Sequence, residues 1–498
     1  MAVPARTLAA RLASLFVLAC AAGSSHAAFE LVAIGSINAT TDLSGLSGTL
    51  ENGNAANILG GMGSGFAWAG DSTYLALPDR GPNATSYTGG AAVDNTTSYI
   101  ARFNTVTMAM SASPSTLSTG KTLPYTLTPT LQSTTLLWSS TPLNYGSTAG
   151  LASGVPTQNT AGKYYFTGRS DGFAAGSSSN PNNARLDPES LRVSRDGKSV
   201  FISDEYGPYV YQFDRATGER TRTFSLPGDF AIAKQNAIGA NEISGNTSGR
   251  VTNKGMEGLA ISPDGTKLYG IMQSPLAQDG GDTSAGKTNR IVQIDIASGS
   301  VKEFAVSNQI NGKGYNNSEL IAINDHTLAF LPRDGKGQGD VNSSGVTSSA
   351  VVKQVWAIDL SKATDANDIT GLSADAATGL FTGKQLLDKE VMFDLVAMLK
   401  NAGFKDTEIP SKLEGLAFGP DVDGYHMLYV TNDNDFIPGV AGSNRQFAIR
   451  FTDADLASVS TSFSIGALQM QAVPEPSTWA LGLSALGLIG GLSRRRRA

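Results

Sequence analysis

Glu189, Glu257, Glu319 and Glu414 occupy matching places in four related stretches of this 498-residue chain. Each opens an apolar run (Ser-Leu-Arg-Val, Gly-Leu-Ala-Ile, Leu-Ile-Ala-Ile, Gly-Leu-Ala-Phe) that leads to a turn aspartate: Asp196, Asp264, Asp325 or Asp421. Ser64 holds the same place in an earlier copy, ahead of Asp71. Polar residues follow each turn, as Asp79-Arg80, Asp204-Glu205, Met272-Gln273, Arg333-Asp334 and Asn432-Asp433. Carboxylates gathered at one place repel, so some must take protons unless a cation sits among them. The chain has one cysteine and three histidines, so an oxygen-only cluster is what remains, and that favours a hard ion, above all Ca²⁺. The candidate ligands are the four glutamates with Asp79, Asp204, Glu205 and Asp433. The competing role for these acids is to accept backbone hydrogen bonds and tie neighbouring units together. Arg80, Arg185 and Arg333 stand beside or near the acids, where an arginine either clamps phosphate in bidentate fashion or neutralises a carboxylate.

The elements that must position these residues are β-hairpins. Alternating apolar residues flank the Asp-Gly turns, and positions equally distant from a turn lie side by side, about 5 Å apart. Each hairpin therefore carries a polar pair at its open end. A second hairpin follows each first one, led by Tyr99–Phe103, Tyr209–Asp214, Arg290–Asp295, Gln354–Asp359 and Gln446–Phe451. Two hairpins per unit, repeated, predict an all-β fold: a single β-propeller of four-stranded blades. The leading positions are separated by 125, 68, 62 and 95 residues. The first interval is long enough to hold a degenerate blade within 107–173, so six blades are expected, with seven allowed. Phe29–Ile37 is a strand that could close the ring on the last blade. Asp388–Lys400 has helical spacing and is expected to be one short inserted helix. The stretches 171–184 and 335–350 read as exposed loops. No linker divides 29–470, which is read as one domain.

Both ends are addresses. Arg6 and Arg11, the apolar run Leu12–Ala22 and Ser25-His26-Ala27-Ala28 make residues 1–28 a secretory signal peptide. The alternative is a lipobox at Val17-Leu18-Ala19-Cys20. At the other end, Val473-Pro474-Glu475-Pro476 precedes an apolar helix expected over 478–492 and the basic tail Arg494–Arg497. The apolar part falls short of the ~20 residues that span a bilayer comfortably. Leaving out the two arginines of 1–28, and the four arginines and one glutamate beyond 472, reduces 37 basic and 43 acidic residues to 31 and 42, a net −11 for the body. Nucleic acid is an unsuitable partner for such a surface. Ser170 in Gly168-Arg-Ser-Asp-Gly172 matches a nucleophile elbow in form but lacks its strand-to-helix context. His326 and His426 read as exposed turn residues, and Met272–Leu276 as a strand end lining the mouth of the channel.

Two resemblances add to this reading. Residues 473–498 resemble the PEP-CTERM sorting signal of Gram-negative, exopolysaccharide-producing bacteria. That implies export through the inner membrane, transient anchoring through the C-terminus, processing by an exosortase-type enzyme, and residence in the envelope or extracellular matrix. The motifs Asp79-Arg-Gly-Pro82, Gly168–Phe173, Asp187-Pro-Glu-Ser-Leu191, Asp204–Tyr209, Gly255–Ala260 with Met272–Leu276, and Leu413–Ala417 occur in order. Together they resemble the phytase-like family ("esterase-like activity of phytase"), with departures at Ser64, where the other copies have Glu, and at Ser190, where two copies have Gly. The resemblance implies phosphoric-ester hydrolysis on a Ca²⁺-loaded propeller, with Glu189, Asp204, Glu205, Glu257, Glu319 and Glu414 at the site and Arg80 and Arg333 nearby. Glu205 or Glu257 would serve as general base, and the substrate would be a phosphorylated small molecule. The alternatives are a metal-dependent lactonase and a non-enzymatic module that binds the envelope or exopolysaccharide matrix.

Overall fold

The computed structural model describes residues 29–84, 96–145, 162–171, 179–236, 239–375 and 378–471. The signal peptide and the apolar tail helix expected from the sequence lie outside these residues, and no helix among them is long and apolar enough to cross a membrane. Five four-stranded antiparallel sheets form the body. Blade one is Gly65–Trp68, Thr73–Leu77, Arg102–Ser111 and Thr126–Leu136, from the axis outward. Blade two is Pro188–Val193, Ser199–Asp204, Tyr209–Asp214 and Arg220–Ser225; blade three is Met256–Ile261, Lys267–Met272, Thr288–Asp295 and Val301–Ser307. Blade four is Asn316–Ala322, Thr327–Arg333, Gln354–Asp359 and Lys389–Asp394. Blade five is Leu413–Val422, Tyr425–Asn432 and Asn444–Phe451, completed by the N-terminal strand Glu30–Ile37. That strand pairs with Asn444–Phe451, so the two ends of the domain are stitched into one sheet, as the sequence led us to expect.

The innermost strands touch in the order one, two, three, four, five, and five touches one. The ring is therefore closed by five blades, which corrects the expected six or seven. Five apolar layers, one between each pair of adjacent blades, agree with that number. The long first interval holds no sixth blade among the described residues. It is spent on the outer hairpin of blade one, whose strands run 10 and 11 residues. This hairpin reaches over the closing strand: Tyr125 N–H donates to the Val32 carbonyl at 3.2 Å, and Leu123 packs with Phe29 and Leu31. The expected helix over Asp388–Lys400 is corrected as well. Its first half is the outer strand of blade four, and only Leu395–Asn401 is helical, capped by Asp394, whose side chain accepts from Ala397 N–H. An edge strand with one buried face has apolar residues close enough together to mimic a helical period.

Adjacent inner strands approach so closely that side chains there are constrained. A Cβ on Gly258 would lie 2.6 Å from the Glu319 carbonyl carbon, and one on Gly415 would lie 2.9 Å from Phe66 Cβ of blade one. The glycine that follows glutamate in two copies is thus required by blade contact. Ser190, at the corresponding place in blade two, uses its hydroxyl instead, donating to Glu319 Oε1 at 2.7 Å.

Candidate metal and phosphate site

The four glutamates lie near the start of their inner strands, at the end of the ring opposite the Asp-Gly turns. In each of these hairpins the pairing register shifts at the glutamate: between Pro188 and Leu191, Met256 and Gly258, Asn317 and Leu320, and Leu413 and Leu416. A β-bulge bends a strand and re-aims the side chain at the irregularity. The first hairpin, with Ser64 in place of glutamate, pairs without a shift.

Three of the four glutamates line one polar cavity of about 220 Å³, with Asp79, Arg80, Asn83, Glu205, Asn253, Lys254, Gln273, Arg333, Lys412 and Asp435. Its cations have acidic partners. Arg80 donates to Asp187 from both its backbone N–H and Nη1 at 3.1 Å, and Arg333 pairs with Glu414. Lys412 bridges Asp433 at 3.1 Å and Asp435 at 2.5 Å, and Lys254 pairs with Asp282. Glu189, Glu205 and Glu257 have no ion-pair partner among the described residues. Glu205 Oε1 accepts from Gly255 N–H at 3.0 Å, and Glu257 Oε1 accepts from Gln273 Nε2 at 2.7 Å. Glu257 Oε2 is buried with no hydrogen-bond partner. Two triads of carboxylates bring one oxygen each within 4.8 Å of one another: Asp187, Glu189 and Glu205, and Asp79, Asp433 and Asp435.

Burial, reinforced by neighbouring carboxylates, pushes Glu189, Glu205 and Asp79 well above the usual carboxylate range. Glu257 is pushed up to about 8, first by burial and then by the charge of Glu414, against the opposing pull of Arg333. Burial also lifts Asp433 to about 7, despite Lys412. A cation between such groups reverses the shift, because it favours the ionised forms. The first triad has the donor set for one: three buried carboxylates, no ion pair to Glu189 or Glu205 among the described residues, and no softer ligand nearby.

Not every residue singled out from the sequence reaches the cavity. Asp204 lies behind it, its Oδ1 accepting from Asp187 N–H at 3.1 Å and Tyr206 N–H at 3.0 Å, the backbone role weighed as its alternative. Glu319 sits deeper on the axis. Its Oε1 accepts from Ser190 Oγ, from Leu259 N–H at 3.2 Å and from Leu320 N–H at 2.9 Å, while Oε2 faces Arg192 Nη2 at 3.1 Å. Arg185 pairs with Glu242 at 3.6 Å, and Asp334 with Lys353 at 3.0 Å. Ser170 is fully buried, its Oγ accepting from Thr96 N–H at 3.0 Å, so it is no exposed nucleophile. His326 and His426 face Asp359 and Asp421 at hairpin turns remote from the mouth.

Asp187, Lys412 and Asp435 were missed by sequence reasoning. Each lies two residues from a recognised acid (Glu189, Glu414 and Asp433), just outside the strands, and that nearness in sequence was the available signal.

The linked titrations make a prediction. Folded-state values raised above unfolded ones mean that the native protein holds extra protons. The stabilisation is complete below the unfolded values near 4 and is lost as pH rises towards 7–8, the range of Asp204, Asp433 and Glu257. Thermal unfolding in EDTA should therefore show a midpoint that falls between pH 5 and pH 8. Divalent cation should flatten that slope. A chelated midpoint that rises with pH over this window would contradict the assignment.

Fold and site together define a five-bladed propeller with a carboxylate-rich mouth. Residues 57–436 match the family "Phytase-like: Esterase-like activity of phytase", and the chain belongs to that family. Residues 472–497 match the PEP-CTERM protein-sorting motif, which implies exosortase-type processing and an exported, envelope-associated protein. A relative from Arthroderma benhamiae, an "Uncharacterized secreted protein", is 27% identical over 403 residues, covering 72% of this chain and 73% of its own. Among solved structures, the periplasmic gluconolactonase of Pseudomonas aeruginosa is similar at 11% identity and a TM-score of 0.29, covering 84% of this chain and 94% of its own. The hydrazine synthase of Kuenenia stuttgartiensis also scores 0.29 at 11% identity, over 77% of this chain and 80% of its own. Likeness of that degree carries no argument about chemistry.

Proposed function

We propose that this protein is an exported, Ca²⁺-dependent phosphoric-ester hydrolase that acts in the envelope or matrix of a Gram-negative bacterium on a phosphorylated small molecule. The observation that carries the proposal is that Glu189 and Glu205, which form a buried carboxylate triad with Asp187 behind them, line one cavity together with Arg80 and Arg333. Asp187, Glu189 and Glu205 would hold the ion, whose oxygen-only donor set suits Ca²⁺. When bound, Ca²⁺ supplies charge neutralisation for the phosphate. Arg333 and Arg80 place guanidinium groups on the same cavity, where a phosphate oxygen can compete for donors now shared with Glu414 and Asp187. Glu257 is the group suited to take a proton from an attacking water. Its Oε2 is uncommitted, Gln273 fixes the other oxygen, and its affinity for protons is raised to a range useful near neutrality. Glu205 is assigned to the ion instead.

The deciding assay follows turnover of a generic phosphomonoester and of a lactone, each with Ca²⁺ and with chelator. Phosphomonoester turnover that vanishes on chelation is the expected result. Lactone turnover alone would replace this reading with the lactonase alternative, and turnover of neither would leave a binding propeller.

A further inference from the structure

The end of the domain fixes where the sorting tail leaves the body. Phe463 and Ile465 are buried against blades four and five, and the Ile465 carbonyl accepts from Asn324 Nδ2 and from Thr327 Oγ1. Gln469 N–H then donates to the Ile323 carbonyl at 2.9 Å, just past the inner strand of blade four, and its Oε1 accepts from Asp325 N–H. Gln471, the last described residue, donates from Nε2 to the carbonyl of Val193, the final residue of the inner strand of blade two. Between these anchors, Gln469, Met470 and Gln471 face Phe66, Ile261 and Leu416 of blades one, three and five, and enclose with them a cavity of about 60 Å³. The segment thus lies across the axis. It covers the end of the channel opposite the carboxylate mouth, and Arg192 and Glu319 lie between the two.

The geometry of the tether then limits how the body can sit. Seven residue steps separate Gln471 from Thr478, where the apolar run begins. Fully extended, they span at most about 25 Å. Four strands spaced ~4.8 Å apart put the rim of a blade roughly 14 Å beyond its innermost strand, and the strands add about 15 Å of height before the mouth is reached. A tail that starts on the axis cannot cross to the rim, climb it and still reach the bilayer.

We infer that, while the tail is anchored, the protein stands with its closed face on the membrane and its carboxylate mouth directed away from it. Ligands of the mouth therefore arrive from the solution or matrix side. Phosphate headgroups of the anchoring bilayer are out of reach. This orientation is independent of whether the mouth binds Ca²⁺ or hydrolyses an ester.

Outside the leader the chain has no cysteine, so single labelling sites can be introduced cleanly. Asn83→Cys marks the exposed edge of the mouth, Thr266→Cys marks the exposed turn of blade three on the closed face, and Lys198→Cys, in the corresponding turn of blade two, is a second closed-face position. The chain from Phe29 to Ala498, which lacks Cys20 and carries one donor dye, is reconstituted into phosphatidylcholine–phosphatidylglycerol vesicles containing an acceptor-labelled lipid. Energy transfer should be several-fold stronger from positions 266 and 198 than from 83. A flexible 20-residue Gly-Ser insertion after Gln471 should erase most of that difference. Equal transfer from both faces, stronger transfer from position 83, or an asymmetry unchanged by the longer tether would each overturn the proposal.

Discussion

Replacing Arg192 by methionine should destabilise the protein by about 3–5 kcal/mol, the cost of breaking a buried ion pair from one side. Arg192 lies on the propeller axis, where its guanidinium donates to the carbonyls of Phe66, Leu191 and Leu320 at 2.6–2.8 Å and of Leu416 at 3.3 Å. It also faces Glu319 at 3.1 Å. One side chain thus joins the inner strands of blades one, two, four and five. Methionine fills much of the volume but leaves a buried carboxylate and four carbonyls without their donor. Burial already lifts Glu319 to about 7 with Arg192 present, so without it the carboxyl should take a proton near neutral pH. The double variant Arg192→Met, Glu319→Gln should recover part of the loss, because the charge is removed with its partner. The measurement is the denaturant midpoint at unchanged slope. A single variant within about 0.5 kcal/mol of the parent would show that the pair contributes little.

Glu257→Gln should lower kcat for the phosphomonoester by about 10²–10⁴, the usual worth of a positioned general base, with a smaller change in KM. The same substitution should raise the unfolding temperature of the chelated protein at pH 8. Burial and the charge of Glu414 push Glu257 up to about 8 in the folded state, so ionisation that is free in the unfolded chain is opposed in the native one, whereas glutamine has no such penalty. The gain should disappear by about pH 3, below the unfolded glutamate value of about 4.3, where both states of the parent are protonated. At saturating Ca²⁺, the chelator-sensitive part of stability should largely survive, because Asp187, Glu189 and Glu205 remain. At a hundredfold excess over Kd that part is about 2.7 kcal/mol. Activity undiminished by the substitution would remove Glu257 from the proton transfer. Loss of activity together with loss of the Ca²⁺ response would instead make it a ligand.

The repeat, and with it the propeller, was legible in the sequence because each hairpin carries its own period-two pattern and Asp-Gly turn. Gly197 and Gly265 both adopt a φ of +72°, a conformation that local sequence chooses. The closing strand and the clustering of Glu189, Glu257 and Glu414 followed from the same regularity, because equivalent places in a ring face one axis. The C-terminal sorting motif was likewise written into local composition. Blade number was not, since a 125-residue interval can hold either a blade or an extended hairpin, and only packing against Glu30–Ile37 chose the hairpin. Nor could spacing separate Glu319 from its three counterparts. The four share one hairpin position, but Glu319 meets Ser190 and Arg192 from blade two and becomes the acceptor at the centre of the ring. The division between a carboxylate that faces a cavity and one that closes the axis depends on which neighbour reaches it first across a blade interface, a contact between residues 129 positions apart that no local pattern encodes.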